Sequence, residues 1–485
     1  MSRNPDLHPI NSRKKGASQK RVTHQERTVH RNDEGGISVW VLAALPLCTM
    51  LDILMRQSMT AMLVAGACLM FLWQQQQYVK PGIRRTSAVL LLLSLLLLPT
   101  LEFPLQALEK GLRIGALIAS LLISVGLLSR ASLRVERMRN LMVRLFELPA
   151  HQRPLALGLA SQFLGGFLGL AGLTAMMDIA SQRETVSEAD KIADFGAIAR
   201  GYAALSLWSP MYSNMSIVLA MYGGVRWTQV LPLSLLIAAL LIFLGVALEA
   251  MRRRQKYAAQ GPAISAISVL RESLPVLAVM LCFVALMVCG SEVLQLPISA
   301  LIISGAPVVA WGLNSACTPQ SERGWISGAA LMRKDLVQQR LMAGEVMLFI
   351  ASGCAGVVFS QAIPFEWAAA VAQLAGASMY LSVLLLIMGI VLLSSAAIHP
   401  MLSAIVVGSM LSPDLLGMPS LLHVCAVLIG WGLAIIVTPF SVISLMAARF
   451  SGVPVLEISL KNNAVYLACA VAIAVAVLGT WASFL

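Results

Sequence analysis

Apolar residues run along most of the chain in blocks of about 18–25, the length needed to cross ~30 Å of hydrocarbon, with short polar or basic stretches between them. Blocks near 38–55 and 57–74 return the chain to "QQQQYVKPGIRR", and blocks near 87–108 and 112–130 lead to the Arg-rich "SRASLRVERMRNLMVR". Positive stretches of this kind stay on the cytoplasmic side. The segment Pro154 to Ser181 carries Gly165, Gly166, Gly169 and Gly172 at its centre, and a further block at 229–250 ends in "MRRRQK". Three full crossings between the two basic stretches would put "MRRRQK" outside. Parity is restored if 154–181 enters and returns on one side as a re-entrant hairpin, which glycines permit. Non-helical backbone is tolerated at that depth when it is buried in protein or lines a wet cavity.

The second half repeats the plan with its orientation reversed. Spans near 271–290 and 296–313 precede a basic loop with Arg323, Arg333, Lys334 and Arg340, and a crossing near 342–361 follows. Gly376 to Leu411 reads as a hairpin entered from outside that turns near Ser394 and Ser395. The stretch 419–450 then crosses inward and 463–482 crosses out. The fold class is therefore an all-α polytopic membrane protein of two inverted repeats, each with a re-entrant hairpin and a proline-broken helix. Four regions are expected: a disordered basic cytoplasmic tail at 1–36, extra N-terminal spans at 37–80, a first repeat at 81–255 and a second, inverted one at 256–485.

The breaks raise the chemical question. "LWSPMYSN", Leu207 to Asn214, and "IVTPFSVIS", Ile436 to Ser444, each place a proline among hydroxyls and amides inside an apolar stretch, one in each half. Proline removes a backbone donor and clashes with the preceding turn, which frees polar groups that hydrocarbon cannot satisfy. A kink with Ser or Thr bonding back to the preceding turn needs no ligand. Two breaks paired with two hairpins at matching distances favour a binding site near the midplane instead. The candidate binding residues are Ser209, Pro210, Ser213 and Asn214 at the first break, Gly169 and Gly172 at the first hairpin, Ser394 and Ser395 at the second, and Thr438, Pro439 and Ser441 at the second break. Neutral oxygens suit Na⁺, and helix N-termini restarting after each break suit an anion beside it. His399 and Asp178 are candidate proton-handling groups, because ionisable side chains at membrane depth are functional by default. Glu272, Glu292 and Glu345 sit near span ends, where snorkelling explains them, and His423 reads as structural.

Composition narrows the class without adding a site. Of 485 residues 58% are apolar and 12% charged, about half the charge usual in soluble domains. The net charge of +12 and the basic first 36 residues fit a cytoplasmic N-terminus, and no nucleic-acid partner is needed to explain them. Eight scattered cysteines lack metal-ligand spacing and suit packing. No clustered catalytic carboxylates or nucleophile with its base appear in the spans, so an enzyme or a scaffold is the weaker reading.

"GLAIIVTPFSVISLMAARFSGVPVLEI" carries Gly432, Thr438, Pro439, Ser451, Gly452 and Glu457, and "GYAALSLWSPMYSN" carries Gly201, Tyr202 and Pro210. These runs resemble the ion transporter superfamily, most closely the large membrane subunit of TRAP transporters and more distantly the divalent anion/sodium symporters. The family's doubled proline is single in both halves here, and the symporters' Ser-Asn-Thr signature is present only as Ser213-Asn214-Met215. The resemblance implies a secondary transporter of a small anionic, carboxylate-like solute, coupled to Na⁺ or H⁺ and working by elevator-type motion. An efflux pump or cation/proton antiporter of the same superfamily is the alternative. A bacterial inner membrane location, the lipid bilayer, a homodimer and a periplasmic binding protein are the corresponding expectations of place and partners. Na⁺ is a candidate coupling ion, and no other cofactor is expected.

Overall fold

Prolines set many of the helix boundaries. In the computed structural model, which describes residues 37–183, 187–222, 224–253, 265–317, 324–376 and 378–484, Pro81, Pro104, Pro154 and Pro400 each lie at the first or second position of a helix, where the missing N–H costs nothing. The expected spans at 87–108 and 112–130 are corrected accordingly. Pro99, in a 3₁₀ turn at Leu98–Thr100, and Pro104 punctuate the apolar run, so the helices are Pro81–Leu97 and Pro104–Leu133. The basic tail at 1–36, Arg323 and the end of "MRRRQK" lie outside the described residues.

In chain order the first half comprises α1 (Ile37–Met55), α2 (Ser58–Gln75), α3 (Pro81–Leu97), α4 (Pro104–Leu133), α5 (Glu136–Leu145), α6 (Arg153–Ser181), α7 (Glu188–Trp208), α8 (Ser213–Met221) and α9 (Trp227–Arg253). The second comprises α10 (Ala266–Leu294), α11 (Ile298–Cys317), α12 (Trp325–Gln338), α13 (Ala343–Ala362), α14 (Phe365–Gln373), α15 (Met379–Ser395), α16 (Pro400–Met410), α17 (Ser420–Val437), α18 (Val442–Ser451) and α19 (Asn462–Trp481). Ten helices among the described residues are long and apolar enough to cross a membrane. Trp40, Leu92, Phe243 and Val279 are exposed on their surfaces, which is tolerable where the surroundings are lipid. The fold is that of a polytopic helical membrane protein.

One offset in residue number recurs through the central part of the two halves. α5 and α14 begin at Glu136 and Phe365, and α8 and α18 at Ser213 and Val442, while α4 and α13 end at Leu133 and Ala362. Each pair is separated by the interval that also separates Pro210 from Pro439. Tertiary contacts keep the same offset. A Cβ on Gly201 would sit 2.8 Å from the Gly158 Cα, and one on Gly430 would sit 3.2 Å from the Ile387 Cα, so the first arm of each hairpin packs on the same turn of each broken helix.

Inversion is visible where the corresponding helices α4 and α13 touch. A Cβ on Gly111 would lie 2.7 Å from the Cys354 Cα, one on Gly115 would lie 2.8 Å from the Ile350 Cα, and Gly126 abuts the Gln339 side chain. As residue numbers rise on α4 they fall on α13, so the two helices are antiparallel. Small residues let the backbones approach closely, which is how helices associate where lipid supplies no hydrophobic drive.

Two buried carboxylates are paired with arginines. Asp194 in α7 accepts from Arg153 at 2.9 Å and from Arg183 at 2.7 Å, and Asp335 in α12 accepts from Arg134 at 2.7 Å and 2.5 Å. Hydrogen bonds of this kind are required for charges withdrawn from water.

Candidate functional site

Each broken helix stops and restarts at equivalent residues. α7 ends at Ser209 (φ −76°, ψ 122°) and α17 at Thr438 (φ −74°, ψ 133°), while Tyr212 and Ser441 precede α8 and α18 in extended conformations. The second break satisfies its own groups. Ser441 Oγ donates to the Ile435 carbonyl at 2.5 Å, the group that Pro439 would otherwise leave open, and accepts from the Ser444 N–H at 3.0 Å. Thr438 Oγ1 donates to the Ser394 carbonyl at 2.9 Å and accepts from the Phe440 N–H at 3.3 Å, and Asn463 Nδ2 donates to the Ile436 carbonyl at 3.3 Å. The first break is left differently: Asn214 Nδ2 and Ser216 Oγ are buried without a hydrogen-bond partner.

The hairpins meet the breaks. Gly169, at φ 53° and ψ −142°, divides α6 into two arms, a conformation that only glycine adopts without strain. A Cβ on Gly172 would sit 3.1 Å from the Leu164 carbonyl oxygen, whereas residues eight apart on a straight helix are separated by ~12 Å. The chain therefore reverses at Gly169. In the second half the turn is at Ala396–His399, with Ala397 at φ 67°, rather than at Ser394 and Ser395, which belong to the last turn of α15. Pro400 fixes this boundary by starting α16, and His399 Nδ1 caps that helix by accepting from the Met401 N–H at 3.3 Å. From the positive-φ residue of each turn to the proline of the break the spacings are 41 in the first half, Gly169 to Pro210, and 42 in the second, Ala397 to Pro439.

These tips and breaks line a cavity of about 150 Å³. Its walls are paired by the repeat: Leu170 with His399, Ala171 with Pro400 and Tyr202 with Trp431 on the hairpin and helix sides. The breaks add Tyr212 with Ser441, Ser213 with Val442 and Asn214 with Ile443. Every one of these pairs has the offset of the repeat, so the pseudo-twofold relation passes through the cavity. The opposite wall is not paired in this way. It takes Ser129 and Arg130 from the C-terminal end of α4, and Gln339, Glu345 and Phe349 from the turn before α13 and its first turns.

Three side chains on the wall are buried and lack a partner at a donor-capable atom: Asn214 Nδ2, Gln339 Nε2 and Ser129 Oγ, with residue exposures of 3%, 2% and 1%. Beside them is the Arg130 guanidinium, held by Gln338. Unsatisfied buried donors are costly, and these three residues share the cavity lining with Arg130. His399 lies edge-on to Phe349 with ring centroids 5.6 Å apart.

Of the residues singled out from the sequence, Gly169, Ser213, Asn214, Ser441 and His399 line the cavity. Ser209, Pro210, Thr438, Pro439, Gly172, Ser394 and Ser395 stand behind the wall, shaping the breaks and hairpins. Asp178 is exposed near the end of α6 and accepts from Gln182 Nε2 at 3.0 Å, away from the cavity. His423 is buried between the Tyr222 hydroxyl at 2.7 Å and the Leu411 carbonyl at 2.6 Å. Sequence reasoning passed over Ser129, Arg130, Gln339 and Glu345. Arg130 stood in a basic stretch that topology already explained, and Glu345 stood near a span end.

No protein-family model matches the chain, and no curated protein sequence matches it. Among solved structures the chain is similar to the Alcanivorax borkumensis YdaH transporter, whose crystal structure is described as revealing an unusual topology. The TM-score is 0.51 at 15% identity, over 86% of this chain and 98% of that one. A likeness at that identity is one of fold, and it agrees with the polytopic helical architecture.

Proposed function

We propose that the chain is a secondary transporter of a small anionic, carboxylate-like solute that binds in the central cavity. The observation that carries this reading is a cavity built from both hairpin tips and both helix breaks, lined also by Arg130 and by Asn214, Gln339 and Ser129, each of which has a buried donor without a partner. Paired interrupted segments in inverted halves are how transporters build midplane sites, and the similarity to a transporter of the same fold supports the reading. At about 150 Å³ the space is below the ~300–1,000 Å³ of sites for drug-sized ligands, which favours a small solute. Among coupling ions the proton fits the walls better than Na⁺. Glu345 and His399 both face the cavity, whereas the hydroxyls of the second break are engaged with backbone.

The asymmetric wall supports elevator-type motion. The hairpins and broken helices form the symmetric body, and α4 with α13 form the frame against which it slides. Uptake into proteoliposomes is the test, using a panel of small carboxylates with and without pH and Na⁺ gradients. Bridging Phe349→Cys to His399→Cys with a short thiol cross-linker should stop uptake, and reduction should restore it. Uptake that continues at the uncross-linked rate would sink the sliding motion, and a panel with no accumulated carboxylate would sink the substrate class.

A further inference from the structure

A second and larger cavity, about 740 Å³, lies farther along the same helix. On α4 the central cavity takes Leu121, Val125 and Ser129, and the second takes Lys110, Arg113 and Leu117. The two therefore follow one stripe of α4 at helical spacing. α8 separates them: its first residues, Ser213 and Asn214, face the central cavity, and Ser216 and Leu219 face the second. Ser216 Oγ is buried at 4% exposure without a partner on that wall.

The repeat gives these positions a meaning. Lys110 and Arg113 are the repeat counterparts of Gln339 and Met342, which line the central cavity. In two inverted halves, the opposite-facing state places each half where the other now stands. The frame positions facing the solute would then be Lys110 and Arg113 in place of Gln339 and Met342, after a shift of about ten residues along α4, roughly 15 Å at about 1.5 Å per residue.

The charge of the second cavity agrees. Its walls carry four basic side chains, Arg56, Lys110, Arg113 and Arg226, against two acidic ones, Asp52 and Glu292. Arg113 pairs with Asp52 and with Glu109, and Arg226 with Glu292, each at 3.1 Å. Arg56 and Lys110 pair with no carboxylate among the described residues and are exposed. We infer that this cavity is an anion-accepting vestibule, in which Lys110 and Arg113 take over the solute's negative group when the site faces the other way. The inference rests on the proposed transport function for its purpose, and its electrostatic content stands apart from it.

The vestibule is probed by thiol chemistry that needs no solute. Val225→Cys and Ser299→Cys, placed singly on its wall, are reacted in the purified full-length protein with methanethiosulfonates of opposite charge, one bearing a sulfonate and one a trimethylammonium. Peptide-resolved mass spectrometry reads the introduced cysteine apart from the native ones. The anionic reagent should react about tenfold faster after normalisation to a free thiol, at the low end of what field focusing in clefts provides. Lys110→Gln combined with Arg56→Gln should bring the ratio close to one. A ratio of one or less with the native charges, or no reaction at either position with either reagent, overturns the inference. The Phe349–His399 cross-link separates the two ideas. If the link leaves uptake unchanged while the charge preference persists, the sliding motion fails and the anion vestibule stands.

Discussion

Replacing Asn214 with alanine should separate ligation from folding. The side chain is 3% exposed and its Nδ2 has no partner in the protein, so truncation removes no internal hydrogen bond at that atom. If that N–H instead donates to a carboxylate, its loss removes about 1.5–3 kcal/mol, the worth of a hydrogen bond to a charged group. Apparent affinity should fall roughly tenfold to a hundredfold. Thr438→Ala is the contrasting change. Its hydroxyl ties the break to the second hairpin through Ser394 and caps the Phe440 N–H, so about 1 kcal/mol of stability should go with each bond. Initial uptake at sub-saturating carboxylate, together with thermal unfolding in detergent, reads both effects. Asn214→Ala should weaken uptake at an unchanged midpoint, and Thr438→Ala should lower the midpoint. Normal uptake by Asn214→Ala under those conditions would refute the reasoning, because the unpaired donor would then have no ligand. Asn214→Asp sharpens the result, since a carboxylate there should repel the solute and abolish uptake.

Glu345→Gln should flatten the pH dependence of uptake if the cavity-facing carboxyl carries the coupling proton; His399→Gln should keep folding and binding, and an unchanged profile between about pH 5 and 8, where histidine ordinarily titrates, would make that residue structural. Asp194→Ala leaves Arg153, 6% exposed, without its buried carboxylate, and should cost about 3–5 kcal/mol of stability, read as a lower unfolding midpoint; a midpoint within error of the native one would show that the pair contributes nothing net. For orientation, Arg252 and Arg333 should face the cytoplasm and the loop Ser412 to Ser420 should face outward. A cysteine at Asp414 that stays unlabelled in intact cells, while one at Arg252 reacts with an impermeant reagent, would reverse the drawn topology.

Much of the architecture was legible because membranes impose local rules. Block length gave the spans, since hydrocarbon thickness fixes how many apolar residues a helix needs. Pro210 and Pro439 gave the breaks, because a proline's effect on its own helix does not depend on the fold. The glycine run gave the first hairpin, and the exact turn followed from the one residue of that run, Gly169, with a positive φ. The second turn was misread by a few residues because serines are compatible with both a turn and a helix end. Pro400 and the cap made by His399 decided between them.

The wall opposite the hairpins was out of reach of such rules. Arg130 and Gln339 belong to different halves of the chain, and they share one cavity wall because α4 and α13 cross antiparallel through Gly111, Gly115 and Gly126. In sequence, an arginine that orients a membrane protein and an arginine that faces a cavity are the same residue in the same kind of stretch. A carboxylate near a span end likewise reads as interfacial until something packs over it, and the hairpin bearing His399 places Glu345 on the cavity wall. Local chemistry thus determined where this chain must break and turn, because those constraints act within a few residues of backbone. Which polar side chains share the resulting space was decided by the tertiary structure alone, because burial and convergence are properties of helices brought together from distant parts of the chain.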